Sequence, residues 1–258
     1  MHHGYRPGIA LALAVSTVVC APAASGPALP PLPLPPVPAN ALRVLFVGNS
    51  LTYANDLPHT VADLAQSAGK RTLYAVSVAF PDYALEDHLA QGDASRLLKA
   101  QDWDFVVLQQ GPTSLASSRA LLERDARRFA PLIAGAKAKP ALFMVWPTED
   151  RKFAFNDVRD SYRAAAIDIE GLFMPAGMSW LEAWKRDSGL ILYSDGLHPT
   201  PMGTYLAAMV IFQRLYGTSP MELTGPGVVN GVRFDWSEDL LRLLRESAAA
   251  ANAAEGQP

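Results

Sequence analysis

The sequence predicts an α/β domain built on a mostly parallel sheet with helices on both faces, and three observations predict it. Apolar, β-branched runs alternate along the chain with stretches of helical periodicity, the pattern of a sheet buried on both sides. At 258 residues, half of them hydrophobic, the chain can bury the core of one such domain and still carry appendages. The first apolar run, Leu42-Arg43-Val44-Leu45-Phe46-Val47, stops abruptly in Gly48-Asn49-Ser50-Leu51-Thr52. That is the carboxyl end of a strand, where open α/β sheets gather their functional groups.

The N-terminus stands apart from this pattern. Arg6 precedes an apolar stretch from Ile9 to Ala21, and small residues follow around Ala21-Pro22-Ala23-Ala24-Ser25, so residues 1–25 read as a secretory signal peptide. The stretch falls short of the roughly 20 residues that a membrane span takes. Cys20 raises lipid anchoring as an alternative, opposed by the bulky Val19 before it. With residues 1–25 removed no cysteine remains, so neither a disulfide nor a catalytic thiol is expected. Residues 26–40 are dominated by seven prolines between Pro27 and Pro38 and read as a linker, the alternative being an ordered arm on the domain.

The domain is expected over 41–250. Strands are predicted at Arg43–Val47, Thr72–Val78, Phe105–Gln109, Ala141–Trp146 and Leu172–Pro175. Helices are predicted near Leu57–Ala68, Leu85–Lys99, Ser118–Ala136 and Val158–Glu170, from Pro201 onward, and over Glu238–Ala251. Residues 251–258, small and polar, read as a disordered tail. The formal net charge is −3, and loss of residues 1–25 removes Arg6 and no acid, leaving −4. With no long basic run, nothing points to a nucleic-acid partner.

Ser50 follows a glycine that permits a sharp turn, so its hydroxyl and its backbone N–H are expected in one crevice. The bland alternative is turn and helix-cap chemistry. Thr52 stands where a nucleophile elbow of the Gly-x-Ser-x-Gly type needs its last glycine, so that motif is excluded. Of the histidines past the leader, His59 opens a helix and reads as a surface residue. His88, three residues after Leu85, reads as a satisfied structural histidine. His198 differs, because Asp195 lies three residues upstream across Gly196, and Pro199-Thr200-Pro201 stiffens the chain into a helix cap. A carboxylate so placed can take the Nδ1 proton and leave Nε2 facing Ser50. Three histidines without ligand spacing argue against a zinc centre, and no glycine-rich phosphate loop occurs.

These residues resemble the SGNH, or GDSL-like, hydrolase superfamily. Gly48-Asn49-Ser50-Leu51 is similar to its first block, with Asn49 where Asp is usual, and Asp195-Gly196-Leu197-His198-Pro199 to its last. The resemblance runs over about 42–218, taking in Asn55-Asp56-Leu57-Pro58, Trp103 to Gln109, and Gly203-Thr204-Tyr205-Leu206. It implies a flavodoxin-like three-layer α/β/α sandwich with a five-stranded, mostly parallel sheet, and ester hydrolysis through an acyl-serine intermediate without a cofactor. Ser50 would be nucleophile, His198 general base and acid, and Asp195 its orienter. The oxyanion hole would take the N–H of Ser50, the N–H of Asp82 where the family has glycine, and an amide from Gln109 where the family has asparagine, with Thr113 as the ungapped alternative. Trp146, Trp180 and Tyr83 are candidate pocket walls, though aromatics so placed more often pack the core. The expected protein is an exported (periplasmic or extracellular) esterase for short acyl, foremost acetyl, esters on carbohydrate or other small substrates. The alternatives are a lipase-like or thioester hydrolase, and a non-catalytic binding protein on the same fold.

Overall fold

The structure, a computed structural model, describes residues 34–256. The signal-peptide expectation, Cys20 and the first part of the Pro-rich stretch lie outside the described residues. Five strands form one wholly parallel sheet: β1 (Leu42–Gly48), β2 (Leu73–Ala79), β3 (Phe105–Leu108), β4 (Lys139–Phe143) and β5 (Leu172–Met174), in the order β2-β1-β3-β4-β5. Helices among the described residues are α1 (Ser50–Tyr53), α2 (Leu57–Ser67), α3 (Leu85–Gln91), α4 (Asp93–Ala100), α5 (Ala116–Gly135), α6 (Phe155–Asp168), α7 (Ala176–Arg186), α8 (Pro201–Tyr216) and α9 (Glu238–Ala254). With helices on both faces, this is the three-layer α/β/α sandwich of flavodoxin-like order.

The sheet is buried because its strands are apolar on both sides: Leu42, Val44, Leu45, Phe46 and Val47 of β1 are all fully enclosed. The chain leaves β1 toward β2 on one side and returns as β3 on the other. The crevice between the carboxyl ends of β1 and β3 is therefore the topological switch point, the place where such sheets bind ligands.

Four features depart from the sequence expectation. The helix predicted over Leu85–Lys99 is two, because Gly92 takes φ +87° and ends α3 before α4 starts. Helix α7 is not among the expectations; Gly177 inside it allows its backbone against β4's continuation, where a Cβ would stand 2.4 Å from the Val145 carbonyl oxygen. A small hairpin, β6 (Gly227–Val229) with β7 (Val232–Phe234), is also new, although Asn230-Gly231 between two apolar runs is its signal. The tail predicted to be disordered from 251 is helical to Ala254, with Ala251 and Asn252 buried. Arg214 fixes it, donating from Nε to Asn252 Oδ1 at 2.8 Å and from its other nitrogens to the Asn252 and Gly256 carbonyls.

The end of the Pro-rich stretch lies on the domain: Leu34 packs on the core and the Pro35 carbonyl accepts from the Tyr74 hydroxyl at 2.9 Å.

Candidate active site

Ser50 opens α1 immediately after β1. Asn49 caps that turn, its Oδ1 accepting from Leu51 N–H and its Nδ2 donating to the Tyr83 carbonyl, both at 3.1 Å. An aspartate could do the first and not the second, which accounts for an amide where the resemblance has an acid. Gly48 is required by contact, since a Cβ there would lie 2.3 Å from Thr52 Oγ1 and 2.4 Å from Gln109 Oε1.

Asp195 and His198 lie on the loop between α7 and α8, which is held at many points. Tyr193 and Pro199 form an antiparallel bridge, and Gly196 turns the loop with φ +85°. Trp146 Nε1 donates to the Leu197 carbonyl at 2.8 Å, Glu149 N–H to the Gly196 carbonyl at 2.8 Å, and Asn55 Nδ2 to the Pro199 carbonyl at 3.0 Å. Thr200 then caps α8 through Gly203 N–H.

The two segments, about 150 residues apart in the chain, meet in space. Ser50 Oγ lies 2.9 Å from His198 Nε2, and His198 Nδ1 lies 2.7 Å from Asp195 Oδ2. An ionised carboxylate only accepts, so Nδ1 carries the proton and Nε2 is left to accept from the serine hydroxyl. Asp195 Oδ1 takes the N–H of His198 at 2.7 Å and of Leu197 at 3.0 Å. The imidazole bond first, and these two N–H bonds after it, hold the Asp195 carboxyl at about 2, well below its ordinary value.

A cleft of about 310 Å³ opens beside Ser50, its walls including Asp82, Tyr83, Gln110, Thr113 and Leu197, with no Lys or Arg among the lining residues. Asp82 turns the chain at φ +61°, a conformation that glycine adopts freely and that Asp tolerates better than most residues. Its N–H and that of Ser50 have no hydrogen-bond partner among the described residues, so both donors stand free at the cleft.

The expected amide donor, Gln109, is corrected by the structure. Its Oε1 accepts from Asn49 N–H and from the Thr52 hydroxyl, both at 2.8 Å, and its Nε2 donates to the Gln110 carbonyl. Buried, with both its amide oxygen and its nitrogen engaged, it sits behind the nucleophile turn and is not among the cleft's lining residues. Its neighbour Gln110 lines the cleft instead. Leu85 N–H can only donate, so it faces Gln110 Oε1, at 3.2 Å, and the Gln110 NH₂ is left without a protein partner on the cleft wall. The Tyr162 hydroxyl fixes the Gln110 backbone, accepting its N–H and donating to its carbonyl. Adjacent residues of extended chain point to opposite sides, so only one of the pair can face the cleft. The signal that decides it is Gly48, whose missing side chain makes room for the Gln109 amide. Thr113 lines the cleft but its hydroxyl is buried. Trp146 and Trp180 are buried and stacked at 3.9 Å behind the His198 loop, so of the candidate aromatics only Tyr83 reaches the cleft wall. His59 lies at the surface beside Asp56 and Asp63, and His88 is fully buried. Among the described residues no cluster of three His, Cys, Asp or Glu side chains could hold a metal ion.

No family model and no curated protein sequence matches the chain. Solved structures do. A candidate SGNH hydrolase from Slackia heliotrinireducens is 26% identical with a TM-score of 0.57, covering 67% of this chain and 98% of its own. A lipase/acylhydrolase from Enterococcus faecalis (15% identity, TM-score 0.53, 68% and 96% covered) and an acetyl xylan esterase from Geobacillus stearothermophilus (14%, 0.54, 68% and 95%) share the fold. These likenesses, the first above all, support the SGNH (GDSL-like) hydrolase superfamily. The structural neighbours are SGNH hydrolases, lipases and esterases, which supports a hydrolase. No helix among the described residues is long and apolar enough to cross a membrane.

Proposed function

We propose that this protein is an exported serine esterase that removes short acyl groups, acetyl foremost, from a carbohydrate or similarly polar alcohol. One observation carries the reading: the hydrogen-bonded line from Asp195 through His198 to Ser50, ending beside free backbone donors. Ser50 Oγ attacks the ester carbonyl carbon while its proton passes to His198 Nε2, and Asp195 stabilises the imidazolium that forms. The carbonyl oxygen, now an oxyanion, receives the N–H groups of Ser50 and Asp82 and the Gln110 amide. His198 returns the proton to the departing alcohol, leaving an acyl-serine. It then takes a proton from water, which attacks the acyl carbon, and hands that proton to Ser50 Oγ as the acyl–oxygen bond breaks and the acid leaves.

The small cleft and the acetyl xylan esterase among the structural neighbours support the acyl and alcohol assignments. Export rests on the signal-like sequence of residues 1–25. The test is hydrolysis of p-nitrophenyl acetate, butyrate and octanoate beside Ser50→Ala. Loss of about a thousand-fold or more in the variant establishes the nucleophile. Activity rising with chain length favours a lipase-like enzyme. Equal inactivity of both proteins, with neither labelled by a fluorophosphonate, leaves the non-catalytic binding reading.

A further inference from the structure

The mechanism makes no use of His88, the one histidine that is wholly enclosed among the described residues. Its Nε2 lies 2.7 Å from the Gly48 carbonyl oxygen, so the ring donates there, and its Nδ1 is a buried acceptor with no partner. A buried acceptor left unsatisfied is a cost that an apolar ring of the same shape would avoid. The donor at Nε2 is what the histidine offers in return. The same carbonyl accepts from Phe80 N–H at 3.3 Å, and the N–H at the other edge of that peptide, on Asn49, donates to Gln109 Oε1 at 2.8 Å. The peptide unit one step before Ser50 is thereby held from both sides. The ring also lies against Tyr83 (centroids 5.1 Å apart, edge-on) and Phe80 (6.0 Å), which bracket Asp82. One side chain thus touches both parts of the chain that present free N–H groups to the cleft.

We infer that His88 is a positioning residue which, as the neutral Nε2–H tautomer, sets the spacing between the nucleophile turn at Ser50 and the oxyanion loop at Asp82. This rests on the esterase reading for its consequence in catalysis, but the clamp itself is a property of the fold. Burial lowers the ring's affinity for a second proton, outweighing the hydrogen bond to the Gly48 carbonyl and then the pull of Asp87 and Asp93.

The test exploits side-chain reach: Gln places its amide where Nε2 stands, whereas Asn places it where Nδ1 stands and Phe keeps the ring without a donor. In the full-length protein, His88→Phe is expected to lower kcat for p-nitrophenyl acetate and the rate of fluorophosphonate labelling on the order of 10- to 100-fold with KM little changed, the scale of a misplaced reacting group. Hydrogen exchange of the Asn49 amide, followed by NMR against amides of β4, is expected to accelerate in parallel. His88→Gln should recover most of both. If His88→Phe does not fold, His88→Asn takes its place with the same expectation. Folded variants that all match the wild type in kcat, labelling and Asn49 exchange overturn the inference, as does a His88→Gln no better than His88→Asn. Should the wild type itself neither hydrolyse esters nor label, the esterase reading fails, and the Asn49 exchange comparison still decides the clamp.

Discussion

The proposed mechanism makes Gln110 an oxyanion donor, and its bonds say why it suits that role. Its backbone N–H and carbonyl are committed to Tyr162, and its Oε1 to Leu85, so only the NH₂ is left, held on the cleft wall without a protein partner. A donor held that rigidly costs no reorganisation when charge develops on the substrate, which is the condition for strong oxyanion stabilisation. Gln110→Met, which keeps the volume and removes the donor, is expected to lower kcat for p-nitrophenyl acetate about 100-fold with KM little affected. A variant that raises KM and leaves kcat alone would instead make Gln110 a ground-state contact. At this scale the sequence is partly legible. Ser50, Asp195 and His198 announce themselves because their local chemistry is unusual: a turn forced by glycine, and a carboxylate three residues from an imidazole. The amide donor does not, because Gln109 and Gln110 are identical in type. What separates them is which side of the strand end each faces, and that depends on Gly48 across the sheet.

Elements are legible where their signal is periodic and long, as in β1, β2, α5 and α8. They are missed where they are short or governed by packing: α7 needs Gly177 against β4's continuation, and Gly92 divides one helical pattern into two. The end of α9 is the most instructive case. Alanine-rich and polar, it looks dispensable, yet Asn252 receives the Nε of Arg214, a guanidinium that is itself buried. Its Nδ2 also donates to the Val210 carbonyl and to Gln213. The tail stays ordered because it completes the solvation of a charge the core has enclosed. Asn252→Ala should therefore destabilise the fold by about 2–4 kcal/mol, the range for hydrogen bonds to charged groups and for a buried charge losing a partner. Urea unfolding measures it, and an unchanged midpoint would show that Arg214 is satisfied without Asn252. Turnover should be untouched, since this element does not line the cleft.

For the whole molecule, the site's groups write themselves into the pH dependence of stability in two windows that open at different pH. His88 is held below its ordinary value of 6.5, chiefly by burial, so the folded protein binds that proton less readily than the unfolded chain does. Its contribution is fully present above pH 6.5 and is lost as pH falls below it. Asp195, held at about 2 against an ordinary 3.8, contributes above pH 3.8 and is lost only as pH falls from there toward 2. The nucleophile turn and the His198 loop thus begin to face acid in that order, the clamp behind Ser50 from pH 6.5 and the carboxylate that orients the base from pH 3.8. Asp195 remains ionised above pH 3.8, so any acid loss of activity between pH 6.5 and 3.8 does not come from it. The measurement is urea stability of wild type and His88→Gln between pH 7.5 and 4.5. One proton taken up on unfolding gives a slope of up to about 1.4 kcal/mol per pH unit, and that much is expected to disappear in the variant. Identical slopes would mean that His88 takes up no extra proton on unfolding, and the acid sensitivity of the fold would have to be sought in other groups.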